Sequence, residues 1–147
     1  DVSSQLGRDH WREFVEPYMR RLFESMPEGV VGGIHNCTRC QQVIDLYPGV
    51  GARLLQFGPD VDPAFAKEKV GDRMCLLGNL EPTGVLRDGT PSEVEAACRQ
   101  VIEQAAPAGG FILGSSGSVA RFTPMENLAA MVQACETYGT YRTNSAL

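Results

Sequence analysis

The chain has 147 residues, 43% of them apolar and 21% charged, five cysteines and a net charge of −5. That size and balance suit one packed domain. An acidic excess with no Lys/Arg block argues against nucleic acid as a partner, and the absence of any long apolar run argues against a membrane span. Residues 1–7 hold neither a basic nor an apolar leader region, so the expected setting is cytoplasmic, and an odd number of cysteines does not suit a disulfide framework.

Taken in chain order, helix and strand signals alternate. From Asp9 to Met26, Trp11, Phe14, Val15, Tyr18, Met19, Leu22, Phe23 and Met26 recur at helical spacing, which predicts an amphipathic helix disturbed at Pro17. The run Val30 to Ile34 predicts a short buried strand, followed by a brief helix over 41–47 that Pro48-Gly49 should stop. Leu54 to Phe57 is a second strand. Asp62-Pro63 then reads as an N-cap with proline at the first helical position, starting a helix to about Val70. Met74 to Leu77 is a third strand, and Thr90-Pro91-Ser92-Glu93 combines a cap, an N1 proline and a capping-box acid before a helix to about Ala105. Gly110 to Leu113 is the fourth strand, Gly114 to Ser118 a small-residue loop, and Thr123-Pro124-Met125-Glu126 a second capping box before a helix to about Tyr138. The tail from about 139 is expected to be loose.

Strands separated by helices imply parallel βα repeats, an α/β fold whose functional groups collect at the carboxyl ends of the strands. His35, Cys37, Asp60, Asn79, Glu81 and the serine loop all fall at that edge. Cys98 and Cys135 lie on apolar helical stripes and are expected in the core, and Cys75 in a strand covered on both faces.

The densest chemistry is His35-Asn36-Cys37-Thr38-Arg39-Cys40. Neutral imidazole and thiolate are preferred zinc ligands, and one intervening residue lets His35 and Cys37 leave the same side of an extended chain. Even an open zinc site usually has three protein ligands, so the set needs Cys40 or a distant residue as its third. The plainer alternative is a reduced loop with ordinary buried thiols.

In order and spacing the segments resemble the C-terminal half of the uroporphyrinogen decarboxylase superfamily, which includes zinc-dependent methyltransferases acting on methylated corrinoids. The resemblance rests on Phe14-Val15-Glu16-Pro17-Tyr18, His35-Asn36-Cys37, Val61-Asp62 through Ala66-Lys67, and Gly71-Asp72. It continues through Leu77-Gly78-Asn79-Leu80-Glu81-Pro82, Gly89 to Val94, Gly110 to Leu113, and Thr123-Pro124-Met125-Glu126-Asn127. It implies half of a TIM (β/α)8 barrel over residues 1–147, completed by a missing N-terminal half or by a second copy.

In the methyltransferase branch, His-x-Cys and a later Cys hold the zinc. His35 and Cys37 match, whereas Gly117 stands where that branch has Cys and the decarboxylase branch commonly has His. Gly58 likewise stands where relatives often carry an acid, with Asp60 the nearest substitute. The implied activity is zinc-dependent methyl transfer between a corrinoid and a thiol, the partner being a small-molecule or corrinoid-protein substrate. The alternatives are a tetrapyrrole decarboxylase and a noncatalytic domain that binds a tetrapyrrole or a protein partner. Asn79, Glu81 and Ser116 lie where the resemblance places substrate contacts, although a Gly-Asn turn also serves simply to leave a strand.

Overall fold

The computed structural model describes residues 5–141, so the end of the tail lies outside the described residues. The expected first helix is two: α1 (Arg8–Phe14) and α2 (Glu16–Glu24). Val15, at φ −120° and ψ −52°, separates them, and Pro17 falls in the first turn of α2, where its missing N–H costs nothing. Trp11 is fully buried with its ring against Tyr47, the centroids 5.8 Å apart.

Strand β1 covers Gly33–Asn36, later than the Val30–Ile34 run, and Val30 and Val31 remain exposed. Cross-strand pairing explains the shift: β1 meets β2 (Leu54–Phe57) in the register Gly33↔Leu54 to Asn36↔Phe57. A 3₁₀ helix (Ile44–Val50) lies between them and contains Pro48 instead of ending before it. It buries Ile44, Tyr47 and Val50, and closes at Gly51 with φ 95°.

The capped elements fall where sequence places them. In α3 (Pro63–Val70) the Asp62 carboxylate accepts from the Phe65 N–H at 2.8 Å, and α4 (Pro91–Ala105) carries the full Thr90/Glu93 capping box. Strand β3 (Cys75–Leu80) runs three residues past its expected end, because its pairing with β4 (Phe111–Ser115) continues to Leu80↔Ser115. Helix α5 (Met125–Tyr138) starts as expected, but its N-cap is Pro124 with no side-chain cap; Thr123, one residue early, donates its hydroxyl to the Ala120 carbonyl.

The four strands form one parallel sheet in the order β1-β2-β3-β4. This is the α/β arrangement of half an eight-stranded βα barrel. Strand alternation sorts the side chains. Leu55, Phe57 and Leu76 are fully buried among Trp11, Val61, Ala66 and Val70 on the helix-covered face. On the other face, His35 is exposed, Gln56 and Leu77 are half-buried, and Ile112 is 48% exposed. Cys75 therefore sits in a strand covered on one face only, half-buried, which corrects the expected two-sided cover. Cys98 is buried as expected, whereas Cys135 is exposed: α5 turns Ala134 inward against the α4 cluster and leaves the next residue outside. No described helix is long and apolar enough to cross a membrane.

Candidate functional site

His35 is the third residue of β1 and stands on the open face opposite Gln56 of β2. Its Nδ1 lies 2.9 Å from Gln56 Oε1, and Gln56 Nε2 donates to the Ser115 carbonyl at 3.3 Å. Because the Gln56 amide is committed as a donor toward β4, its oxygen faces the imidazole, and His35 Nδ1 carries the proton. In the neutral ring Nε2 is thereby left as the acceptor or ligand atom. Sequence reading passed over Gln56, although it is the single polar residue in Leu54-Leu55-Gln56-Phe57; its meaning depends on strand register.

The loop after β1 is set by a buried polar chain. Asn36 is 1% exposed, donates to the Tyr47 hydroxyl at 2.7 Å, and accepts from the Thr38 N–H at 3.0 Å and the Thr38 hydroxyl at 2.8 Å. Tyr47 in turn bonds the Cys40 thiol. Cys40 is fully buried in the core, and burial pushes its thiol up to about 11 against the smaller lowering effect of the Tyr47 bond. Burial likewise raises the Tyr47 hydroxyl, with the neighbouring Cys40 adding to it.

Cys37 is half-buried one residue past the strand end, and its backbone is seated on Gly58. A Cβ at position 58 would run into the Cys37 carbonyl, so glycine there is what lets the loop close over the end of β2. Cys37 also lines a cleft of 440 Å³ with Gln5, Thr38, Arg39, Gln42 and Asp60. Asp60 pairs with Arg39 at 3.5 Å in solvent.

The three expected metal ligands do not assemble: among the described residues no group of three His, Cys, Asp or Glu side chains could hold a metal ion. The physical reason is that Cys40 is turned into the helix-covered core and engaged by Tyr47, whereas His35 stands on the open face. His35 and Cys37 remain, one short of the usual three protein donors.

The residues expected to touch substrate have local work. Asn79 is 5% exposed, and its amide donates to the Gly58 carbonyl at 3.1 Å and the Val61 carbonyl at 2.8 Å, tying β3 to the exit of β2. Glu81 accepts from the Thr83 N–H, the Thr83 hydroxyl and the Gly84 N–H. Burial pulls the Glu81 carboxyl upward, but these bonds together outweigh it and hold the group below its ordinary value. Ser116 is 2% exposed, with its N–H on the Leu80 carbonyl at 2.9 Å.

Comparison with known proteins identifies the family and the fold. The chain is 28% identical over 134 residues to a methylcobamide:CoM methyltransferase of Methanosarcina mazei, covering 90% of this chain and 38% of that protein. It is 30% identical over 135 residues to a methylated-thiol–coenzyme M methyltransferase of the same organism, covering 91% and 35%. Over 104 residues it is 28% identical to a uroporphyrinogen decarboxylase of Chlorobium phaeovibrioides, covering 69% and 29%. The solved structure of a methyltransferase from Methanosarcina mazei superposes with a TM-score of 0.80 at 22% identity, over 92% of this chain and 39% of that one, which shows the shared fold. The chain thus spans between 29% and 39% of the length of these relatives. A sequence model of uroporphyrinogen decarboxylase (URO-D) matches residues 2–138, nearly the whole chain, and the chain belongs to the URO-D family.

Proposed function

We propose that the chain forms part of a methyltransferase that moves a methyl group between a corrinoid and a thiol, with His35 and Cys37 as its donors to a zinc ion. The observation that carries this reading is the His35-Asn36-Cys37 sequence at the carboxyl end of β1, with His35 Nδ1 held by Gln56. A metal-binding histidine characteristically gives its second ring N–H to such a partner, which fixes the ring and makes the ligating nitrogen more basic. The similarity to methyltransferases also runs over 90% of the chain, against 69% for the decarboxylase.

Zinc, when bound, would hold a thiol as its nucleophilic thiolate. The chain's own residues orient and shape. Gln56 aims the imidazole, Cys37 offers a soft donor, and the Asn36–Tyr47–Cys40 chain braces the loop between the two. Cys40 is part of the brace and contributes no donor.

The test uses the full-length protein. Methyl transfer from a methylated corrinoid to a small thiol is expected, with Cys37→Ser losing both bound zinc and most of the activity. Turnover of a tetracarboxylated tetrapyrrole that survives both a chelator and Cys37→Ser would replace this reading with decarboxylation. Absence of both activities would leave a noncatalytic binding domain.

A further inference from the structure

The loop between β4 and α5 touches the candidate site at one end and reaches into solvent at the other. At Gly117 it lies against His35, an idealised glycine Cβ standing 3.9 Å from His35 Cε1. Further along it turns sharply. The Thr123 N–H and hydroxyl both donate to the Ala120 carbonyl, at 3.2 and 2.8 Å, closing a β-turn over 120–123. The third position of that turn is Phe122, at φ 68°, while Arg121 before it keeps a negative φ. A type II turn of this kind calls for glycine or asparagine at its third position. A bulky ring in the left-handed region is strained, and such strain collects at ligand clamps and active sites.

Burial does not explain the ring. Phe122 is 80% exposed, and Val119 and Met125, before and after it, are 50% and 76% exposed. The Arg121 guanidinium stands over the ring, 4.6 Å from its centroid. Arg121 is the single cation between β4 and α5 and makes no ion pair among the described residues. The pair therefore offers a flat apolar face beside a planar fork of donors. Its complement is an apolar ring system with carbonyl or anionic oxygens on its rim. A corrinoid, with amide and phosphate groups around its ring, is a ligand of that chemistry.

We propose that Arg121 and Phe122 clamp the macrocyclic substrate, Phe122 stacking on its face and Arg121 donating to the oxygens of its rim. This rests on the corrinoid reading given above and adds to it the residues that grip the macrocycle. It also accounts for the strained turn, which holds the ring out of the core at the carboxyl edge of the sheet, on the loop that passes His35. For stability alone, glycine is the better residue at 122.

The experiment measures binding of free methylcobalamin to the full-length protein by equilibrium dialysis in the dark, and the thermal midpoint of each variant without ligand. Phe122→Gly is expected to melt about 2 °C or more above wild type, yet to bind methylcobalamin about fivefold or more weakly. Phe122→Asn also tolerates the left-handed region and lacks the ring, so it should bind as weakly, which separates loss of the ring from loosening of the loop. Phe122→Tyr keeps the ring and should match wild type in both measurements. Arg121→Gln should weaken binding about threefold or more.

Equal affinity of wild type, Phe122→Gly and Phe122→Asn for methylcobalamin would overturn the clamp and leave the corrinoid reading standing. Normal binding of free methylcobalamin by those variants, with slowed methyl transfer from a corrinoid carrier protein, would assign the turn to a protein partner and overturn the macrocycle contact. A lowered midpoint in Phe122→Gly would show that the ring supports the fold and would overturn the argument from strain. Failure of folded wild type to bind methylcobalamin would remove the corrinoid reading, and this inference with it.

Discussion

The two faces of the sheet are built from the same four strands and differ in almost every physical respect. On the helix-covered face, Leu55, Phe57 and Leu76 are fully buried and have no polar duties. On the other face the row His35, Gln56, Leu77 and Ile112 runs across the strands in register, polar at the β1–β2 side and apolar at the β3–β4 side. Alternation along each strand thus gives the packed core to one set of residues and the open, candidate-site face to the residues between them. The division is testable residue by residue.

The largest difference between the faces should appear on truncation. Leu76→Ala removes a fully buried side chain and is expected to cost about 2–5 kcal/mol in a urea denaturation series. Ile112→Ala, at a position 48% exposed in this chain, should cost under about 1 kcal/mol. Equal costs would mean that the open face is covered in solution, by a second copy or by another part of the barrel.

The buried thiols give a smaller, pH-dependent effect confined to the covered side. Burial raises both Cys40 and Cys98 from 9.0 to about 11. Between those values the folded chain binds more protons than the unfolded one, so the stabilisation present below pH 9 is lost as pH rises toward 11. The expected loss is on the order of 2 kcal/mol per thiol, and Cys98→Ala should remove its share of the slope. At pH 8, alkylation followed by mass spectrometry should label exposed Cys135 well before Cys40 or Cys98. Rapid labelling of Cys40 would place it outside the core and reopen its candidacy as a ligand.

Legibility in the sequence followed the range of the interactions involved. Helices α3 and α4 could be placed to the residue because Asp62-Pro63 and Thr90-Pro91-Ser92-Glu93 fix their starts by contacts within one turn. Strands β1 and β3 could not, since their ends are set by partners about 20 to 40 residues away, at Gly33↔Leu54 and Leu80↔Ser115. The same limit governed the site. His35 and Cys37 were visible as neighbours in sequence, but the assignment of Cys40 to the core and the facing of His35 by Gln56 and Gly117 are consequences of tertiary placement. Cys135 was misjudged for a related reason: an apolar stripe on a helix at the edge of the fold has a buried flank and an exposed one.

The smallest expected change in stability belongs to the polar end of the open face, where its spectroscopic consequence is the clearest. Gln56→Leu deletes a half-buried amide whose bonds run to His35 and to the Ser115 carbonyl, and should alter stability by under about 1 kcal/mol. The imidazole loses the acceptor that keeps the proton on Nδ1. Its tautomer should then relax toward the Nε2–H form usual for a solvated histidine, and the two ring ¹⁵N shifts of His35 should exchange character in neutral solution. If Nε2 is the ligand atom, the same substitution must also weaken zinc binding by about 10–100-fold, because metal would have to displace that proton and reorient the ring. Unchanged ring shifts in Gln56→Leu would show that Gln56 does not set the tautomer. A changed tautomer with unchanged zinc affinity would move the ligand role away from His35 Nε2.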